Sequence, residues 1–349
     1  MTKQKVVISQ QLEHDLTEAI SLCEHDRIFI LADETTAQCC LPVVEGFRCL
    51  TGAHRIVIGT TDVHKDLLSL SQVWKALGQG GATRHTLLIN IGGGMVTDLG
   101  GFAASTFKRG INYINIPTTL LAMVDASVGG KTGINFGGLK NEIGVFNNAS
   151  TVILDMQFLK TLDADNILSG YAEMLKHGLI SDTHMWAELL NFDLAQPDLA
   201  VLGRMVGDSV TVKERIVTED PTEQGIRKAL NLGHTIGHAF ESFALQHTPV
   251  LHGYAVAWGL ICELYLSAIK TVFPTDKMHQ TVRFIQKNYG KMDITCDDYP
   301  ILLELMTHDK KNTADTINFT LLGGIGDIRI NQTATKEEIC EALDFYREG

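Results

Sequence analysis

The sequence predicts an α/β protein in two parts: a mostly parallel sheet with helices on both faces, then a mainly α-helical half. Three observations carry this expectation. Over the first 160 residues short β-rich runs alternate with helical stretches, the order that builds parallel sheets. From about 163 to 310 the apolar spacing is helical. The chain has 349 residues, 45% of them hydrophobic and 20% charged, enough for two domains with a large core. The expected division is 1–160 and 161–349.

The elements follow in order. RIFILAD (27–33) reads as a buried strand with Asp33 at its carboxyl end, and ETTAQCCLPVVEGF follows as a helix. RIVIG (55–59) is a second strand, with helical spacing from Lys65 onward. TLLINIGGG (86–94) is a third strand that runs into glycines, MVTDLGGFAASTF a helix, and INYINIP (111–117) a fourth strand. Ligands of such sheets bind beyond the carboxyl ends of the strands. Asp33, Gly92 to Gly94, Thr118 and Thr119 stand at those ends. The second half reads as helices over NILSGYAEMLKHGLI, THMWAELLNF, Leu199 to about Val217, RKALNLGHTIGHAFE (227–241) and YAVAWGLICELYLSAI. INFTLL and DIRI, joined by GGIG, read as a hairpin, and KEEICEALDFYRE as a closing helix.

Charge and cysteine content exclude several function classes. The net charge is −12 with no basic run, which argues against nucleic acid and anionic membranes as partners. The seven cysteines are odd in number and contain no CxxC, so neither a disulfide framework nor a cysteine zinc site is expected. The first residues hold no apolar signal core and no apolar run approaches 18 residues. These features predict a cytoplasmic enzyme.

Three stretches carry candidate chemistry. At about 100° per residue, Arg227, Asn231, His234 and His238 share one stripe of a helix. Polar groups on one stripe of an apolar helix are costly to bury unless they hold something. His234 and His238 stand one turn apart, which permits joint metal ligation; His252 opens the next helical run, and Glu173 supplies a carboxylate with Lys176 one turn on. Spacing alone gives Glu173, His234 and either His252 or His238 as ligands. IGGGMVTDLGGF is a strand, a glycine turn and a helix start, a fit for phosphate at a helix N-terminus. It misses the dinucleotide fingerprint GxGxxG because Thr97 stands at the last glycine position. VDASVGGKTGIN (124–135) fails as a P-loop, because Asp125 stands where the first glycine belongs. It leaves Asp125 and Lys131 in a glycine-rich flexible segment, with Lys140 and Asn141 close behind.

Taken together, GGGMVTDLGGFAASTFKRG, IPTTLLAMVDASVGGKTGIN, LKNEIGVFN, GYAEMLKHG, EQGIRKALNLGHTIGHAFE, LHGYAVAWG and HDKK resemble the 3-dehydroquinate synthases, a family of sugar-phosphate cyclases. The likeness runs from about Asp33 to Gly326. It implies a Rossmann-like NAD-binding α/β domain, a helical metal- and substrate-binding domain, one zinc or cobalt ion per subunit, and a homodimer. By this resemblance Glu173, His234 and His252 are the metal ligands. The NAD contacts it implies are Asp33, Asp62, Lys65, Gly93, Gly94, Met95, Asp98, Thr118, Thr119, Lys131, Lys140, Phe158 and Thr161. Substrate or catalytic positions are Asp125, Lys131, Asn141, Lys176, Lys213, Arg227, Asn231 and His238, with Lys310 or Lys311 of HDKK, and Arg109 reaching into a partner subunit's site.

The implied reaction converts 3-deoxy-D-arabino-heptulosonate 7-phosphate into 3-dehydroquinate and phosphate. It proceeds by transient NAD-dependent oxidation, phosphate elimination, re-reduction and aldol closure. Such a substrate, with a carboxylate and a phosphate, calls for the cluster of cations. Four positions depart from the family pattern: Thr61 and Asp62 stand where GE is usual, Thr97 where Gly is usual, and Tyr254 where Glu is usual. Two other readings compete: another cyclase such as a 2-deoxy-scyllo-inosose synthase, whose substrate lacks the carboxylate, and a metal-dependent polyol dehydrogenase, which would release NADH.

Overall fold

The computed structural model describes residues 4–307 and 317–349. It divides into two compact units, Met1–Asp163 and Ala164–Gly349.

The first unit is built on six parallel strands: β1 (Lys5–Ile8), β2 (Ile28–Asp33), β3 (His54–Ile58), β4 (Leu87–Gly92), β5 (Asn112–Pro117) and, after a separate hairpin of β6 (Lys131–Phe136) and β7 (Leu139–Phe146), β8 (Thr151–Leu154). The order across the sheet is β1-β8-β5-β4-β2-β3. From β2 the chain steps one way to β3, and from β4 it steps the other way to β5. The crevice between the carboxyl ends of β2 and β4 is therefore a topological switch point, where doubly wound sheets bind ligands. The helices are α1 (Leu12–Ser21), α2 (Glu34–Cys39), the short α3 (Leu41–Val44), α4 (Leu67–Gln79) and α5 (Gly94–Thr106). The four strands expected from sequence are present. β1 and β8 are additions, and the helix expected after β2 is broken at Cys40, just before Pro42.

The segment expected to be a flexible glycine loop is different. Ala122–Ala126 makes a wide helical turn and Lys131–Phe136 pairs antiparallel with Leu139–Phe146. Gly133 faces Gly144 in that ladder because the backbones approach too closely for side chains. A Cβ at Gly144 would stand 2.2 Å from the Thr132 carbonyl oxygen, and one at Gly133 would stand 2.6 Å from that of Ile143. Some of the glycines read as ligand-cradling thus serve strand packing.

The second unit comprises α6 (Ala164–Ser181), α7 (Thr183–Asn191), α8 (Leu199–Glu219), α9 (His234–Leu245), α10 (His252–Thr271), α11 (Thr275–Tyr289), α12 (Tyr299–Thr307), the hairpin β9 (Asn318–Gly324) and β10 (Asp327–Thr333), and α13 (Lys336–Glu348). The predicted terminal hairpin and closing helix are both there. α10 is apolar on nearly all sides and runs between α6 and α9. Two glycines let it approach both. A Cβ at Gly253 would lie 1.9 Å from the Ser169 carbonyl oxygen of α6, and one at Gly259 would lie 2.0 Å from that of Gly233, beside α9. Close backbone approach draws together the side chains those helices carry. Among the described residues no helix is long and apolar enough to cross a membrane.

Candidate active site

The single helical stripe expected over 227–241 does not form. Ile226–Asn231 is a 3₁₀ turn, Gly233 takes a left-handed conformation (φ 80°), and α9 begins at His234. The reason is local. The Asp220 carboxylate accepts the backbone N–H groups of Gln224 (3.0 Å), Gly225 (2.7 Å) and Arg227 (3.1 Å), which draws this segment into a loop. Arg227 is 1% exposed and donates to the Pro221 carbonyl at 2.6 Å, while Asn231 donates to Glu223 at 2.9 Å. His234 and His238 do share a face of α9, their ring centroids 5.3 Å apart.

Three helices deliver one ligand atom each to a common point. Glu173 (α6) is 0% exposed, and its Oε1 lies 3.3 Å from His234 Nε2 (α9) and 3.4 Å from His252 Nε2 (α10). All three ligand atoms lie within 4.8 Å of one another. A tetrahedral ion with bonds of about 2.0–2.1 Å would space its ligand atoms about 3.3–3.4 Å apart, so the residues present fit a zinc-sized cation. Both Glu173 oxygens are shut off from solvent; Oε2 is ion-paired with Lys176, which leaves Oε1 to face the two imidazoles. Each histidine turns Nε2 inward because Nδ1 is engaged: His234 Nδ1 stands 3.1 Å from the Leu232 carbonyl, and His252 Nδ1 stands 3.3 Å from Glu241.

A second set, His238, Glu241 and His252, also lies within 4.8 Å. There, however, Glu241 is the orienting partner of His252. Of the alternatives left open by spacing, the one that clusters with Glu173 and His234 is His252, and His238 borders that cluster, 6.0 Å from His252 between ring centroids.

The electrostatics favour an ionised Glu173 and a neutral His234, the forms that ligate, and on His252 they favour a proton that a bound cation would displace. Burial pushes the Glu173 carboxyl up, but Lys176, one turn away and also buried, outweighs it together with His234 and holds Glu173 well below its usual range. Burial lowers His234 to about 4, against the pull of Glu173. Burial also opposes charge on His252, yet Glu241 and Glu173 raise it to about 10. Lys213, on α8, is buried as well. Lys310 and Lys311 lie outside the described residues. Sequence reading missed Glu241, Glu223 and Asp220. Glu241 was findable: seven residues on from His234 it lies only about 20° off two full turns.

In the first unit, Gly93 caps α5 with no side chain, which leaves its first-turn N–H groups for a ligand. Around this turn, a Cβ at Gly93 would stand 3.1 Å from Thr119 and one at Gly94 3.2 Å from Ala126, while Thr118 donates to the Gly92 carbonyl at 2.9 Å. Met95 is in the same turn and Asp125 in the wide turn that follows β5. Lys65 forms an ion pair with Asp98 and bonds Asn141 at 2.5 Å. Asp62 takes Asn135 at 3.1 Å and Lys140 at 3.5 Å. The structure therefore brings Asp62, Lys65, Asp98, Lys140 and Asn141 into one network. Others stand apart. Asp33 caps α2 by accepting from the Thr36 N–H at 2.8 Å. The Phe158 side chain is 1% exposed, so it is core and does not line an open surface; Thr161 is exposed and donates to the Phe158 carbonyl. Lys131 is exposed at the start of β6. Arg109 (φ 74°) is exposed in a left-handed turn with Lys108. Tyr254, where the family pattern has Glu, donates to Asp165 at 2.8 Å and so ties α10 to α6.

Comparison with known proteins decides the family. The model of the 3-dehydroquinate synthase N-terminal domain matches residues 55–169, and that of the C-terminal domain matches residues 170–312. The chain belongs to the 3-dehydroquinate synthase family. A 3-dehydroquinate synthase of Parabacteroides distasonis is 56% identical over 350 residues, covering 100% of this chain and 99% of that one. One of Staphylococcus aureus is 35% identical over 343 residues, covering 96% and 95%. The activity is accordingly that of a lyase that forms 3-dehydroquinate. Among solved structures, the 2-epi-5-epi-valiolone synthase of Streptomyces hygroscopicus with NAD+ and Zn2+ bound superposes with a TM-score of 0.85 at 25% identity, covering 100% and 98%. A 2-deoxy-scyllo-inosose synthase with carbaglucose-6-phosphate, NAD+ and Co2+ gives 0.84 at 21%, covering 99% and 96%, a likeness of fold.

Proposed function

We propose that this 3-dehydroquinate synthase works as a cytoplasmic homodimer on an anionic seven-carbon sugar phosphate, with NAD and one zinc or cobalt ion, and that its residues divide the labour as follows. Glu173, His234 and His252 hold the metal. The observation that carries this is the convergence of two imidazole Nε2 atoms on the buried Glu173 Oε1 at 3.3 and 3.4 Å. When bound, the metal polarises substrate hydroxyls and NAD takes and returns a hydride.

The chain's own residues do the rest. Lys176 keeps Glu173 ionised. Arg227 and Lys213, both buried, meet the substrate carboxylate, Arg227 through its two-pronged guanidinium; Asn231 hydrogen-bonds a hydroxyl. His238 contacts the phosphate and takes the proton from the carbon beside the new ketone; the C–H electron pair becomes a C=C bond and the phosphate leaves with the pair of its broken C–O bond. Lys131, Asn141, Asp125 and Lys310 or Lys311 complete the anion and hydroxyl contacts. Arg109, exposed in its left-handed turn, serves a partner subunit. On the cofactor side, the glycine turn at Gly93 and Gly94 receives a phosphate at the N-terminus of α5. Asp62, Lys65, Asp98, Lys140, Thr118 and Thr119 contact the rest of NAD, with Asp33, Met95, Phe158 and Thr161 around them. Phe158 does so through its backbone. That both of these cations are buried supports a substrate with a carboxylate over those of cyclases that lack one. The cytosol suits seven cysteines that are all unpaired.

Two substitutions test the division. His234→Ala loses metal by elemental analysis and turnover with it. His238→Ala keeps its metal and releases phosphate about 10²–10⁴-fold more slowly. Equal metal loss in both would overturn the assignment.

A further inference from the structure

Glu263 lies within α10, in the apolar run GLICELYL, and is fully buried. Its carboxylate accepts the Gly233 N–H at 2.6 Å through Oε2 and the Ile236 N–H at 3.1 Å through Oε1. These donors belong to the N-cap and third residue of α9, a helix with no side-chain cap of its own. Gly233 cannot supply one. Its φ is 80°, and a Cβ there would stand 2.8 Å from Leu260. The cap therefore comes from the neighbouring helix, as a charge.

A carboxylate at zero exposure is costly to bury unless its bonds are good. Here two backbone donors and the positive end of α9 offset the cost. The placement also has a consequence for geometry. The first residue of α9 is His234, whose Nδ1 is oriented by the Leu232 carbonyl, next to the clamped Gly233 N–H. α10, the helix that carries Glu263, begins with His252. The same two helices meet where a Cβ at Gly259 would touch the Gly233 carbonyl, so α9 cannot slide toward α10; Glu263 stops it moving away.

We propose that Glu263 is a positioning residue for the metal centre. By gripping the first turn of α9 from α10 it fixes His234 against His252, and this sets how tightly the site holds its ion. The proposal rests on Glu173, His234 and His252 being the ligands, and its test separates the two ideas.

The zinc-loaded protein is challenged with a competing chelator and zinc retention is read by elemental analysis, beside the melting midpoint. Glu263→Gln keeps size and shape but sets an amide NH2 against one of the two N–H groups. Zinc affinity is expected to fall about 10–100-fold. Leu343→Ala, which opens the fully buried core at α13, lowers the melting midpoint but keeps zinc affinity within about twofold of wild type. Wild-type affinity in Glu263→Gln overturns the proposal, and so does an equal loss in Leu343→Ala, which would make the effect general destabilisation. If Glu263→Gln does not fold, Glu263→Asp, which keeps the charge but draws it back by one methylene, is read in the same assay. A loss of about threefold or more supports the proposal and unchanged retention overturns it. Wild-type protein that holds no zinc refutes the metal reading itself.

Discussion

Lys176 with Glu173 in the second unit and Lys65 with Asp98 in the first are the same two chemical groups in unlike surroundings. Glu173 and Lys176 sit at 0% and 1% side-chain exposure, Asp98 and Lys65 at 18% and 5%. Burial pushes both carboxyls up. At Glu173 a lysine and two imidazoles outweigh it, and the group is held well below its usual range. At Asp98 burial prevails over Lys65, with the negative charges of Asp125 and Asp62 adding to it, so the group is raised. The number of positive partners, more than depth, decides the sign. Glu173 stays ionised, the form the metal-ligand role proposed for it requires. Asp98 is under-compensated and gains from a further donor, which suits the cofactor-side role proposed for it.

The sharpest way to break this comparison is to remove the more deeply buried acid. Glu173→Ala leaves Lys176 buried without its carboxylate, a loss of about 3–5 kcal/mol in the metal-free protein, together with zinc uptake. Urea unfolding and elemental analysis read the two. A loss of stability below about 1 kcal/mol would show that Lys176 needs no carboxylate partner, and the contrast with Asp98 would fall.

What was legible in the sequence follows the same line between local and distant partners. Four of the parallel strands, the terminal hairpin and the shared face of His234 and His238 could be read because period and turn residues are local signals. The broken helix before His234 could not. Periodicity put Arg227 and Asn231 on one stripe with the histidines, whereas Asp220 draws three backbone N–H groups into a loop and Gly233 turns left-handed. The β6–β7 hairpin was missed for the opposite reason. Its glycines looked like a ligand loop, and only the facing strand shows that Gly133 and Gly144 are there for lack of space. Glu263 was visible as an acid in an apolar run, but its partners lie on another helix.

A smaller effect tests the sign at Asp98. Its folded pKa is raised, so between the unfolded value of about 3.9 and the folded value the native state holds the extra proton. Native stability therefore falls as pH rises through that window. Asp98→Asn mimics the protonated form and lacks this slope. In paired urea titrations from low pH upward, wild type should lose ground to Asp98→Asn as pH increases. Parallel curves would mean that Lys65 compensates Asp98 in full, and the two pairs would then be alike.

The smallest stability effect belongs to the exposed edge of the first unit's network. Lys140 and Asp62 stand 3.5 Å apart with side chains 38% and 46% exposed. Solvent screens such a pair, and holding two side chains in place costs entropy, so Lys140→Ala should change stability by no more than about 0.5 kcal/mol. If the pair serves the cofactor, however, NAD affinity should fall by about 2–10-fold in titration calorimetry while zinc content is unchanged. That split between binding and stability is what sets an exposed network apart from a buried one: at Glu173 removal unfolds and unloads the site together, whereas here the charge can leave and only the ligand notices. A Lys140→Ala protein with normal NAD affinity would reduce the pair to a surface contact and confine the cofactor-side network to Lys65, Asp98 and Asn141.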